Sequence, residues 1–453
     1  MTSSPSIHFH GGIGTIGGTK IIVQDGDFRV IFDFGLSYAP GGEFWGGRIQ
    51  PRTGAARLKD FLTLGYVPRL DGLYRPDACA AVGLEPGRGE RTQVFISHLH
   101  LDHMAVLDLL ADDVPVWMHA DSLRLYRAVA ETGASPAVPA GARDFAWGQE
   151  IQVGPITVLP LAVDHDIPGA AGLLIKTSAG TVAYTGDLRL HGSAPERTVA
   201  FMAAARAAEP RMLLVEGTRL GEPEPLPNSP ARLTEPEVPG KVVEHLARTA
   251  GLALITLYPR NTVRIANIAA AVKQAGRTLV LSPESAYIHR AMGGDLGEIA
   301  VYRRSTDGGG TRPAWFSALV STGVEVLDAA AIRANQPAYL LQLNFWELNE
   351  LVDLQPQSGS IFIHSNGEPL GRFDPAWEVF VRWLDHFKLE LCWAACTGHA
   401  APADLHEVVA GIRPQILMPI HSRTPELMEV AGINRTLPEL GAIYDIATGA
   451  RIG

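Results

Sequence analysis

The chain has 453 residues, 46% of them apolar, and carries a formal charge of −10. That length suits about two or three domains with a large core, and the negative balance excludes any general attraction to a polyanion, so a nucleic-acid substrate would need a locally basic groove. No apolar run approaches the roughly 20 residues of a membrane helix, Met1 to Ser6 lacks a signal core, and Cys79, Cys392 and Cys396 make no disulfide framework, so a soluble cytoplasmic protein with reduced thiols and no membrane partner is expected.

"TKIIVQDGDFRVIFDFG" predicts two strands, Lys20 to Gln24 and Phe28 to Phe34, joined by a tight turn at Asp25-Gly26-Asp27. Residues Ser37 to Glu90, rich in Gly, Pro and Arg with one helical pattern near Ala56 to Leu64, read as an insertion before the strand Gln93 to Ser97. Strands are expected at Val114 to Met118, Ile156 to Val163, Ala171 to Thr177, Thr181 to Thr185 and Met212 to Val215, and helices at Ser122 to Thr132 and Arg197 to Ala208. Together these suggest a sheet sandwich covered by helices. The Pro- and Glu-rich stretch Gly221 to Gly240 then marks a domain boundary. Beyond it, helical patterns (Lys241 to Thr249, Thr262 to Gln274) alternate with apolar strands (Leu252 to Leu257, Thr278 to Leu281, Ala338 to Leu343, Ser360 to His364), which suggests a parallel α/β sheet. Ser305 to Pro313 reads as a surface loop, and Trp377, Phe380, Val381 and Leu384 as the core-facing stripe of a helix.

The richest chemistry lies in "FISHLHLDHM", Phe95 to Met104. If extended geometry continues past the strand, His98 and His100 project to one side. Asp102 sits where the helical pattern starts, an N-cap position, and His103 follows in the first turn. A lone histidine is usually a packing or surface residue, but four ligand types in six residues favour a metal. His165 in "LAVDHDIPG", Asp187 in "VAYTGDLRL" and His421 in "QILMPIHS" each follow an apolar strand and supply further donors. Seven donors exceed one tetrahedral zinc, whereas two metals sharing a carboxylate use all of them. The remaining histidines belong to no ligand motif; His364, just before a glycine-containing loop, is the one to watch.

The HxHxDH run, together with "DFG" at Asp33 to Gly35, His165, "TGD" at Thr185 to Asp187 and His421 in that order, resembles the metallo-β-lactamase superfamily. More than 200 residues separate Asp187 from His421, which is similar to the β-CASP nucleases. "LLVEGTR", "RNTVRI", "SNGEP", "ACTGHA" and "PIHS" resemble ribonuclease J. The resemblance implies an α/β fold, a metallo-β-lactamase αββα sandwich with an inserted α/β β-CASP domain, divided as residues 1–215 and 389–453 for the sandwich and 216–388 for the insertion. It implies that His98, His100 and His165 hold one ion, that Asp102, His103 and His421 hold the other, that Asp187 bridges them and that Asp33 supports the ligands from behind. The ions expected are two divalent metals, zinc first and manganese second.

The activity so implied is cleavage of RNA phosphodiesters by a metal-activated water, with single-stranded RNA as partner; self-association into a homo-oligomer stays open. Asp102, Asp187, His399 and Glu216 would carry catalysis, with His399 near the leaving oxygen and Glu216 orienting it. Arg260, Arg264, Ser365, Asn366 and Gly367 are the expected phosphate cradle, although arginines four apart often lie on a solvated face. The chain departs from ribonuclease J at Ala395, where a histidine is usual, and at Thr15 and Asn366, and it ends at Gly453 without room for a further C-terminal domain. The rival activity is hydrolysis of a small ester, lactone, thioester or other non-RNA substrate at the same centre.

Overall fold

The computed structural model describes residues 4–38, 44–45, 49–222, 233–308 and 313–453. Its first sheet holds β1 (Ser6–Phe9), β2 (Ile21–Asp25), β3 (Phe28–Phe32), β4 (Thr92–Phe95), β5 (Val116–His119) and β6 (Ala142–Phe145), with the last strand of the chain, β21 (Ile443–Asp445), on the β1 edge. The second holds β7 (Ile151–Val153), β8 (Ile156–Ala162), β9 (Ala171–Thr177), β10 (Gly180–Tyr184) and β11 (Met212–Glu216), continued by β19 (Ile416–Ile420) and β20 (Asn434–Arg435). The third is made from one contiguous stretch: β12 (Ala253–Ile255), β13 (Thr278–Leu281), β14 (Ile299–Tyr302), β15 (Glu325–Leu327), β16 (Tyr339–Gln342), β17 (Ile361–His364) and β18 (Glu390–Trp393). Its order is β15-β14-β13-β16-β12-β17-β18, with parallel pairing throughout.

Side-chain alternation along the strands explains the layers. Ile21, Val23, Val30 and Phe32 of the first sheet meet Val158, Leu173, Ile175, Tyr184 and Leu214 of the second in one buried cluster. Their neighbours Ile22 and Ile31 face the other way, onto Leu123 and Tyr126 of the helix Ala120–Glu131. Leu213 and Val215 likewise face Phe201 and Leu405 from the helices Pro195–Ala207 and Pro402–Ile412. Helix, sheet, sheet and helix therefore stack in that order. Each fully buried Ile, Leu or Phe contributes about 1.5–3 kcal/mol of burial free energy. The third sheet is covered on both faces, with Leu254, Val280 and Phe362 on one side and Ile255, Leu281 and Ile363 on the other. Such two-sided burial is why its strands read as short continuous apolar runs.

Several expectations need adjustment. The helix at Leu101–Met104 is a single turn capped by His100, so Asp102 lies inside the first turn and not at the cap. The stretch read as an insertion contributes to the core among its described residues: Leu58, Phe61, Leu73 and Tyr74 are buried against the outer face of the first sheet. The strands β14, β15 and β18 were not anticipated, and β18 lies beyond residue 388, within the segment assigned by sequence to the C-terminal part of the sandwich. The Pro- and Glu-rich stretch falls partly outside the described residues, at 223–232, and the loop at 305–313 does so at 309–312. Trp377, Phe380 and Leu384 are buried as expected.

One buried ionic bridge ties the second sheet to the third. Arg189, just past β10, donates to Glu235 at 3.0 Å and to the carbonyls of His165 and Thr397. Arg264, on the helix Thr262–Gln274, donates to both oxygens of Glu235 at 2.7 and 2.6 Å and to the carbonyls of Ser365 and Cys396. All three side chains are 2% exposed. Removing the shared anion would leave two buried guanidiniums facing each other, Arg264 with only carbonyl partners and Arg189 with carbonyls and the more distant Asp164 carboxylate. Glu235→Gln is therefore expected to cost about 3–5 kcal/mol in denaturant unfolding followed by circular dichroism; a loss below about 1 kcal/mol would show that the halves are held by packing alone.

Candidate metal centre

Every chemically active side chain sits just past the end of a strand. Asp33 follows β3, the His98 to His103 segment follows β4, His165 follows β8, Asp187 follows β10, Glu216 ends β11 and His421 follows β19. A strand held in register by its neighbours fixes the first residues of the loop after it, which is why the candidate ligands can be gathered from four separated segments. Asp33 and His421 both adopt positive φ, at 60° and 51°, a conformation that turns the chain sharply at the sheet edge.

The seven expected ligands converge. His98 Nε2 is 3.1 Å from His100 Nδ1, and His100 Nδ1 is 3.2 Å from His165 Nε2. His103 Nε2 lies 3.2 Å from His421 Nε2, which lies 3.1 Å from Asp102 Oδ2. Asp187 Oδ2 stands between the two groups, 3.5 Å from His98 Nε2 and 3.2 Å from His103 Nε2. His98, His100, His165 and Asp187 thus form one cluster of donors, and Asp102, His103, Asp187 and His421 a second that shares Asp187.

These contacts match a divalent metal. Ligands about 2.0–2.1 Å from a shared ion at tetrahedral angles stand roughly 3.2–3.4 Å apart, close to the spacing of the imidazole nitrogens here. Asp187 Oδ2 is buried and has no hydrogen-bond partner, an arrangement that is costly for a carboxylate unless a cation meets it. Burial alone would raise the Asp187 carboxyl, but the surrounding imidazoles of His421, His103 and His399 hold it well below the usual carboxylate range.

The support behind the ligands is equally specific. Asp33 is fully buried and accepts from Ser97 N at 2.7 Å, Ser97 Oγ at 2.8 Å, His103 Nδ1 at 2.7 Å and the Tyr184 hydroxyl. Ser97 Oγ in turn meets His98 Nδ1 at 3.0 Å, Gly398 O accepts from His165 Nδ1 at 2.6 Å, and Thr218 Oγ1 meets His421 Nδ1 at 2.8 Å. Ser97 and Thr218 were missed by sequence reasoning, because a lone hydroxyl carries no spacing signal. The glycine-rich loop was also undervalued. Gly18 N donates to Asp102 O, and Gly12 O accepts from His421 N.

Glu216 and His399 form a third group beside Asp187. His399 Nδ1 is 3.0 Å from Glu216 Oε2, whose partner oxygen accepts from Leu188 N at 3.1 Å. Burial would lower the His399 pKa, but the Glu216 and Asp187 carboxylates outweigh it and hold the imidazole at about 9.

The expected phosphate cradle is not assembled. Arg264 is consumed by Glu235 and two carbonyls, and Arg260, 5% exposed, donates to the carbonyls of Leu99 and Ala134. Both arginines are struts between the halves. Sequence spacing showed them one turn apart but could not show that the turn faces inward. Ser365 is fully buried, and Asn366, half-buried like Gly367, spends its side-chain donor on Cys396 O. His364 is buried, bonded to Pro369 O at 2.9 Å and packed against Trp393.

With the geometry established, comparison with known proteins is informative. Residues 81–255 match the β-lactamase superfamily domain. The chain is 29% identical to ribonuclease J of Sinorhizobium meliloti over 195 residues, 42% of this chain and 33% of that protein. It is 23% identical to ribonuclease J of Mycolicibacterium smegmatis over 386 residues, 81% of this chain and 66% of that protein. The chain therefore carries a metallo-β-lactamase superfamily domain and resembles ribonuclease J, and it spans a third to two thirds of the length of these curated relatives. A crystal structure of a protein of unknown function from Enterococcus faecalis V583 shares 31% identity with a TM-score of 0.79, covering 97% of this chain and 99% of that one.

A Cβ at Gly17 would stand 2.3 Å from the Cβ of Asp102, and Gly17 has φ of +72°. In a metal centre of this geometry, Gly17→Ala should push Asp102 off its cluster. Elemental analysis of the purified variant is expected to show less metal than the wild type, with the metal-free melting point within a few degrees of wild type, since about 1 kcal/mol of strain is involved.

Proposed function

We propose that the protein is a metal-dependent phosphodiesterase that cleaves RNA, with two divalent ions, zinc in the first place, held by His98, His100 and His165 and by Asp102, His103 and His421, and bridged by Asp187. The observation that carries this reading is the pairing of two donor clusters around the orphaned Asp187 oxygen with a Glu216–His399 pair 3.8 Å from that same oxygen. Ions bound there would supply Lewis-acid stabilisation of a phosphoryl oxygen and a nucleophilic water at neutral pH. The protein's own contribution is positional. Glu216 occupies Nδ1 of His399, leaving Nε2 to hand a proton to the departing oxygen, and Asp33 locks His103 and, through Ser97, His98. The ribonuclease J names of the curated relatives support RNA as substrate, and the three free, buried cysteines suit a cytoplasmic location.

A specific observation favours the second reading, hydrolysis of a small ester, lactone or thioester. Tyr258 rests its ring 5.5 Å from that of His100, and the charges around it are Arg260 against Asp166, Asp102 and Glu368. With Arg260 and Arg264 buried in structural bonds, this side of the centre is acidic and receives a polyanion poorly.

Cleavage of 5′-phosphorylated single-stranded RNA with zinc or manganese separates the two. We expect metal-dependent cleavage that is abolished by Asp187→Ala and lowered about 10²–10⁴-fold by His399→Ala at unchanged metal content. A protein that holds two metals, leaves RNA and DNA intact and cleaves small esters would move the assignment to the second reading.

A further inference from the structure

The imidazoles of the centre share a rule with one apparent exception. His98, His103, His165 and His421 each turn Nε2 inward, and each has Nδ1 backed by an oxygen at 2.6–3.0 Å: Ser97 Oγ, Asp33 Oδ2, Gly398 O and Thr218 Oγ1 respectively. His100 is reversed. Its Nδ1 faces His98 and His165, so its Nε2 is the nitrogen left outward. An imidazole that offers Nδ1 as a lone pair must carry its proton on Nε2, and that N–H needs an acceptor.

The acceptor nearest to it is Asp166. Its Oδ1 is buried, has no hydrogen-bond partner, and lies 3.3 Å from His100 Nε2 and 3.2 Å from His165 Nε2; with the His165 proton on Nδ1, bonded to Gly398 O, only His100 has a proton to give it. The turn at Gly398 passes close to the carboxylate, where a Cβ would come within 2.9 Å of the same oxygen. A buried carboxylate oxygen without a donor and an inward-bound imidazole without a backing acceptor stand side by side. Their 3.3 Å separation is already within reach, and a small rotation that aims the N–H at the oxygen joins them.

We propose that Asp166 is the positioning residue for His100: its Oδ1 accepts the Nε2–H bond, which selects the tautomer that presents Nδ1 to the metal and orients the ring. This rests on the reading of the site as a metal centre. It completes the set, so that all five imidazoles are backed by an oxygen. Asp166 does not need to touch substrate in this role, and it acts on only one of the two clusters, because His103 and His421 of the other are backed by Asp33 and Thr218.

The test uses the full chain, labelled with 15N-histidine and loaded with zinc. In the wild type, His100 should give one strongly downfield Nε2–H signal among Nδ1–H signals from the other four. In Asp166→Ala that signal should move upfield or be lost to exchange while the other four remain, and chelator competition should show one zinc bound about 10–100-fold more weakly with the other unchanged. Asp166→Asn keeps an acceptor oxygen and the side-chain volume. It should retain the Nε2–H signal, shifted upfield, and a smaller loss of affinity, which keeps the test decisive where the alanine variant does not fold. An unchanged signal and unchanged zinc affinity in either variant overturns the proposal, as does an equal weakening of both zinc ions. A wild-type protein that fails to hold two zinc ions would instead strike at the metal reading itself.

Discussion

Asp187 is the constraint on which the rest of the structure depends. Its buried Oδ2 has imidazole nitrogens within 3.8 Å on several sides and no proton donor in hydrogen-bonding geometry. So many ligand atoms held this close need strong scaffolding from outside, and the arrangement suits a cation inside. The scaffolding is visible in Asp33, which satisfies four donors at once and so freezes two ligand-bearing segments.

The second constraint acts between the halves. The third sheet must sit over the open edge of the sandwich for His399, reached through β18, to stand beside Glu216 at the end of β11. Glu235 secures that placement by holding Arg189 and Arg264 together, with Arg189 also bonded to His165 O and Arg264 to Cys396 O. The same bridge has a functional consequence: it removes from the cleft the positive charge that a polyanionic substrate would seek. Stability of the interdomain contact and attraction for phosphate compete for the same arginines here, and the contact holds them.

Much of this was legible in the chain. The metal donors could be read because a strand presents alternate residues to one side and because the residues after strand ends collect at one sheet edge; His98, His100, His165, Asp187 and His421 all follow apolar runs that fold as expected. The hairpin of β2 and β3 was legible from Asp25-Gly26-Asp27, and the long helix Thr262–Gln274 from its periodicity. The short strands β14, β15 and β18 were not, since three or four residues are too few to show a period. Nor was the role of residues 55–79, whose Gly, Pro and Arg content hides the four aromatic and aliphatic side chains that enter the core.

By itself the sequence determined which side chains are candidate metal donors, the order in which strands deliver them and the layering of the sandwich, because these follow from local alternation and from residue chemistry. Only the tertiary structure decided which side chains remain free to act. Arg260 and Arg264 have the right spacing for a phosphate site, yet their partners, Leu99 O and Glu235, are 161 and 29 residues away in the chain. Asp166 and Thr218 gain their places beside His100 and His421 in the same manner, across 66 and 203 residues, the first read from the two positions and the second from the bond itself. Hydrogen bonding and charge pairing act over about 3 Å of space whatever the separation along the chain. Local pattern carries no record of such partners until the fold brings them together.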